Sequence, residues 1–198
     1  MALSTPIADI GWQASPFRLK GTDSHYHSLK QLMGRRGTVV AFISNHCPYV
    51  QAMMPRLIRD AQALGSHGVT VIAINANDGL AYPEDNFGAM KLQAKAWELP
   101  FHYLHDETQE IARAYGAVCT PDFFGFDAEM RLQYRGRLDD CRTEAATEDT
   151  PRELFDAMRL IAHLGFGPGE QEPSVGCSIK WREPALVPER SQAQTTSA

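Results

Sequence analysis

The stretch Thr38-Val39-Val40-Ala41-Phe42-Ile43-Ser44-Asn45-His46-Cys47-Pro48-Tyr49-Val50 decides the fold. It opens with an unbroken, largely β-branched apolar run, the pattern of a short strand buried on both faces. From Pro48 the pattern changes. Val50, Met53, Leu57, Ala61 and Leu64 recur at spacings of three and four, which predicts a helix ending near Gly65 or Gly68. A second buried strand is predicted at Val69-Thr70-Val71-Ile72-Ala73-Ile74. Strand, helix and strand in that order make a βαβ unit with parallel strands, and so an α/β layer fold.

Downstream, Pro83-Glu84-Asp85 is expected to open a helix with Phe87, Met90, Ala94 and Trp97 on its apolar face. A short strand at His102-Tyr103-Leu104 leads to a helix capped by Asp106, with Gln109 answering it and Gly116 as the stop. Phe123–Phe126 and Met130–Tyr134 read as a hairpin across Asp127-Ala128-Glu129. A final helix is expected from a capping box at Thr150-Pro151-Arg152-Glu153 to Gly165. Phe17 to Ser28 suggests a small hairpin before the first βαβ strand. The chain is therefore divided into a domain over 1–170 and a Gly/Pro-rich tail over 171–198, with Ser191 to Ala198 expected to be disordered.

The bulk properties narrow the function. A chain of 198 residues fits one domain with extensions. Its 43% hydrophobic and 22% charged residues suit a globular core, and a net charge of -5 argues against a nucleic-acid groove. No run approaches the roughly 18 apolar residues of a membrane span, and the start lacks a signal-peptide pattern. A cytoplasmic location follows as the expectation, with reduced cysteines. Cys47, Cys119, Cys141 and Cys177 are spread too widely for a disulfide framework or a zinc cluster, and nothing calls for a metal or other cofactor.

Cys47 falls where the first long strand hands over to its helix, with Pro48 at the first helical position. Unpaired N–H groups and the positive end of the helix dipole are then expected to favour its thiolate, the nucleophile of disulfide exchange and peroxide attack. His46 adds positive charge when protonated, or is only a solvated loop residue. The sulfur is expected to be open to solvent.

Cys47-Pro48 at the helix start and Pro55 within that helix resemble the thioredoxin superfamily, and Thr120-Pro121 resembles its threonine/cis-proline pair facing the active cysteine. More narrowly, Asn45-His46-Cys47-Pro48-Tyr49-Val50, Asp106-Glu107-Thr108-Gln109, Val118-Cys119-Thr120-Pro121-Asp122-Phe123-Phe124 and Tyr134-Arg135-Gly136-Arg137-Leu138-Asp139-Asp140 resemble bacterial peroxiredoxin-like redoxins of the alkyl-hydroperoxide-reductase/thiol-specific-antioxidant type. The resemblance implies a thioredoxin-like α/β fold, with a central mixed sheet and helices on both faces. It also implies a thiol oxidoreductase acting on a disulfide or a peroxide, with an external thiol as possible reductant. Cys47 is then catalytic, and Ser44, Asn45, His46, Pro48, Thr120 and Pro121 form the substrate-binding surround.

The departures from the family pattern are specific. Val50 stands where thioredoxins have a second cysteine, and Ala41 where they bury a carboxylate. Val40 replaces the peroxiredoxin proline, and Thr120-Pro121 occupies the region of the peroxiredoxin arginine. Resolution of a mixed disulfide then falls to Cys119, Cys177 or an outside thiol. Cys119 reads equally as a small residue filling a strand end. Cys177 belongs to a tail that Val175, Ile179 and Trp181 could dock beside Cys47, or that only packs. Cys141, after two aspartates, reads as incidental. His25, His27, His102 and His105 show no recognised metal spacing, and Arg135 and Arg137 read as a salt-bridge corner with Asp139 and Asp140. Two rival functions remain: a copper-carrier-like module, for which Gln51 replaces the second ligand, and a non-catalytic binding protein. The sequence does not set the oligomeric state.

Overall fold

A computed structural model describes residues 2–6 and 10–183 of the protein. In chain order the strands and helices are β1 (Ala2–Ser4), β2 (Arg18–Gly21), β3 (Tyr26–Ser28), α1 (Leu29–Leu32), β4 (Gly37–Phe42), α2 (Pro48–Gly65) and β5 (Val69–Asn75). There follow α3 (Phe87–Ala96), β6 (His102–His105), α4 (Glu110–Tyr115), β7 (Cys119–Thr120), β8 (Asp122–Phe126), β9 (Leu132–Tyr134), α5 (Glu153–Leu164) and β10 (Val175–Ser178).

Seven strands form the main sheet in the order β3-β2-β6-β5-β4-β8-β9. The central strand β4 runs parallel to β5 and antiparallel to β8, with Ala41 opposite Ala73 on one side and Phe123 on the other. Every residue of β4 is buried because the sheet is covered on both faces. Val39 and Ala41 join the core under α2, α3 and α5, where Leu57, Met90 and Met158 pack. Val40 and Phe42 join the opposite core, with Leu29 of α1 and Ala112 and Tyr115 of α4. Strand alternation thus divides one short run between two cores. The architecture is the thioredoxin-like mixed sheet with helices on both faces.

Three helix starts differ from the sequence reading. Pro83–Asp85 is a separate 3-10 turn, and α3 begins after Asn86, whose side chain accepts the Ala89 amide at 2.8 Å. Asp85 faces inward instead of lining that helix's first turn. Asp106 accepts the Ala112 amide at 2.8 Å, but Gln109 does not answer it. Gln109 takes a left-handed backbone and donates to the carbonyls of Ala76 and Lys180. At the third start, α5 begins only at Glu153. The Thr150 hydroxyl is taken by the Thr147 amide, and Arg152 reaches Asp60 at 2.6 Å.

The arginine corner also has other partners. Arg135 pairs with Asp122 at 3.0 Å and Arg137 with Glu153 at 2.7 Å, while Asp139 receives Arg56 at 2.6 Å. The segment after α5 is woven into the domain. β10 lies between β1 and β7 in a separate three-stranded sheet. Ile179 is buried in the second core and Trp181 packs against it. Ser191 to Ala198 lies outside the described residues. Among the described residues, no helix is long and apolar enough to cross a membrane.

Candidate active site

Cys47 is the residue before α2, with extended backbone, and Pro48 supplies the first helical position. The Gln51 amide closes the first turn onto the Cys47 carbonyl at 3.0 Å. The thiol points across the sheet end and donates to the Thr120 carbonyl at 3.0 Å. The Thr120–Pro121 bond is cis, and the Ser44 and Thr120 hydroxyls meet at 3.1 Å above it. Cys47, Ser44, Thr120 and Pro121 are therefore brought together, and the sulfur faces the bend as expected.

The expected solvent access is not found: Cys47 is 0% exposed. Its cover is β10. Cys177 stands opposite Thr120, and Ser178 opposite Cys119. Gly176 makes the close approach possible, since a Cβ there would lie 2.1 Å from the Thr120 carbonyl oxygen. That oxygen is the acceptor of the Cys47 thiol. The strand consequently presses directly on the site.

Cys177 is the sulfur this packing places against Cys47. Cys177 is only partly buried and packs against the core that contains Cys47. Burial, then the proximity of Cys47, push the Cys177 thiol up to about 11. Cys119 is fully buried, with its sulfur 3.5 Å from the Pro121 carbonyl. Burial first, and the Asp122 charge second, push its thiol far above the ordinary range. Cys141 sits elsewhere, beside Asp140 and Thr150.

A buried carboxylate on the other side of Cys47 escaped the sequence reading. Asp85 is 0% exposed. Its Oδ1 accepts from the Asn45 amide at 2.6 Å and from Asn75 Nδ2 at 3.0 Å. Its Oδ2 accepts from Asn77 Nδ2 at 2.7 Å and lies 2.6 Å from His46 Nδ1. The His46 ring also stacks on Tyr82, with centroids 5.8 Å apart. Tyr103 donates to Asn45 Oδ1 at 3.0 Å, and burial followed by the Asp85 charge raises its phenol well above the usual value. The loop before Cys47 is thus hung on one fixed carboxyl group. His46 engages it through Nδ1 and keeps its ring partly exposed.

Beside Pro121 lies a cleft of about 240 Å³. Tyr49 and Met53 of α2 line it together with Val175 of β10, and its charged lining mixes Arg137 and Arg142 with Asp139 and Glu172. The arrangement can hold a nucleophilic sulfur, a second thiol beside it, and a ring nitrogen able to exchange a proton.

The model of the AhpC/TSA family matches residues 10–135, which include Cys47, the Asp85 cluster and Thr120–Pro121. The chain belongs to the AhpC/TSA family. This AhpC/TSA protein is 41% identical to an uncharacterized conserved protein from Geobacillus kaustophilus, at a TM-score of 0.88, covering 93% of this chain and 98% of that one. A hypothetical protein from Sinorhizobium meliloti is 36% identical at a TM-score of 0.85, covering 91% and 98%. A thioredoxin domain of a thiol-disulfide oxidoreductase from Bacteroides vulgatus is 14% identical at a TM-score of 0.60, covering 79% and 99%, and shows the fold. No curated protein matches the chain.

Proposed function

We propose that this protein is a thiol-dependent oxidoreductase in which Cys47 is the attacking sulfur and Cys177 the resolving one. The observation that carries the reading is the register that sets Cys177 opposite Thr120, whose carbonyl receives the Cys47 thiol beside the cis Thr120–Pro121 bond. Cys47 attacks one sulfur of a substrate disulfide, forming a mixed disulfide and releasing one thiol. Cys177 then attacks the Cys47 sulfur, releasing the second thiol and leaving a Cys47–Cys177 disulfide. With a hydroperoxide, Cys47 attacks an oxygen and the O–O bond breaks, giving a sulfenic acid and an alcohol. Cys177 then expels water from that sulfur. Either cycle closes when an external thiol reductant supplies two electrons.

His46 supplies the proton taken by the leaving group, oriented by Asp85. Ser44, Asn45, Pro48, Thr120 and Pro121 hold the substrate-binding surround. Because Cys47 is covered, a substrate larger than a peroxide enters from the cleft beside Pro121 after β10 shifts. The domain over 1–170 supplies the machinery, and the following tail supplies the cover and the second thiol. The working place is the cytosol, whose reductants keep both thiols free between turnovers.

Turnover of a small disulfide and of an alkyl hydroperoxide, each with an external dithiol, tests this reading. Cys47→Ser is expected to abolish both activities. Cys177→Ser is expected to keep the first bond exchange but to trap the adduct on Cys47. Full activity of Cys47→Ser contradicts the reading.

A further inference from the structure

Away from the cysteines, three ligand-bearing side chains converge where the β2–β3 hairpin meets β6. The candidate donor atoms of Asp23, His27 and His102 all lie within 4.8 Å of one another. His27 Nε2 is 2.8 Å from Asp23 Oδ2, and the His27 and His102 rings lie 4.4 Å apart at an interplanar angle of 47°. His27 lies on β3 and His102 on β6, with β2 between them in the sheet.

The His27 ring and the Asp23 carboxylate sit over Gly21. A Cβ at that position would come within 2.7 Å of Asp23 Oδ1 and 2.9 Å of His27 Cδ2. The glycine therefore leaves the space that these two side chains fill. The His25 amide donates to Asp23 Oδ1 at 3.0 Å, which fixes the carboxylate and leaves Oδ2 toward the rings. An ion pair between Asp23 and His27 accounts for two of the three residues. It does not account for a second, partly buried imidazole held against the first.

We propose that Asp23, His27 and His102 form a zinc(II) site that clips the β2–β3 hairpin to β6. Two imidazoles and one carboxylate are ordinary zinc ligands, and water completes a tetrahedral shell. The donor set carries no sulfur, so the site is chemically distinct from the Cys47–Cys177 pair. Its ligands join strands far apart in the chain, so bound metal stabilises this edge of the sheet.

The test is titration of the full-length, chelator-treated protein with cobalt(II), then displacement by zinc(II), followed by absorption. The expected result is one metal per chain, giving weak visible bands with no thiolate charge-transfer band in the near ultraviolet. His102→Ala and His27→Ala are each expected to weaken binding by about tenfold or more, the scale on which loss of even an outer partner acts. Zinc should raise the melting temperature of the parent chain but not of either variant. His27→Ala removes a partly exposed side chain, so it keeps the test valid if His102→Ala unfolds. A thiolate band, unchanged affinity in both variants, or no binding at millimolar cobalt overturns the proposal.

Discussion

Gly176 lies so close to Thr120 that any side chain at position 176 would strike the carbonyl oxygen receiving the Cys47 thiol. The contact makes β10 a fitted cover and not merely a trailing segment. Gly176→Ala is expected to push β10 outward, with an overpacking cost of about 1–3 kcal/mol. Cys47 should then react faster with an alkylating reagent, read by mass spectrometry of the modified peptide. An unchanged rate in a variant with unchanged unfolding free energy contradicts this role.

Asp85 is expected to act through His46. Asp85→Ala leaves the donors of Asn45, Asn75 and Asn77 without their acceptor and frees the His46 ring. Loss of this network should cost about 3 kcal/mol or more in urea unfolding. His46→Ala, which leaves the carboxylate its three amide donors, separates stability from chemistry. It should slow reduction of substrate by about a hundredfold, the lower range of general acid catalysis. A His46→Ala rate equal to the parent's rules out proton transfer by this ring.

The pH dependence of stability has a sign set by Asp122. Burial pushes its carboxyl up to about 6, against the opposing pull of Arg135. An unfolded aspartate titrates near 3.9, so the folded chain holds this proton more tightly. The contribution is fully present below about pH 4 and is lost as the pH rises through about 6. Burial raises Asp106 in the same direction. The stability of the parent relative to Asp122→Asn should therefore fall between about pH 4 and pH 6, as measured by denaturant titration. A difference that grows with pH across that window contradicts the assignment.

The centre of the fold was legible because its signals are local. The unbroken run at Val39–Phe42, the spaced apolar positions after Pro48 and the second run at Val69–Ile74 each name their own element. Cys47 followed from its position at the junction. Asp85 was not legible, because an acid after proline has the composition of a helix start, and its partners lie in two other segments. Gln109 was read as half of a capping box for a similar reason, though its side chain ties Ala76 to Lys180. The docking of the tail was legible only as one alternative. β10 has four residues, and the small side chain of Gly176 is informative only once Thr120 is known to lie opposite. The meeting of His27 and His102 depends on strand order, which their spacing along the chain does not reveal.

The most direct test of the two-thiol account is peptide mapping without reduction, after one equivalent of hydroperoxide or of oxidised glutathione. The account predicts a single new disulfide joining Cys47 to Cys177, absent from both Cys47→Ser and Cys177→Ser. A disulfide from Cys47 to Cys119, or a sulfenic acid or glutathione adduct persisting on Cys47 in the parent chain, would contradict it.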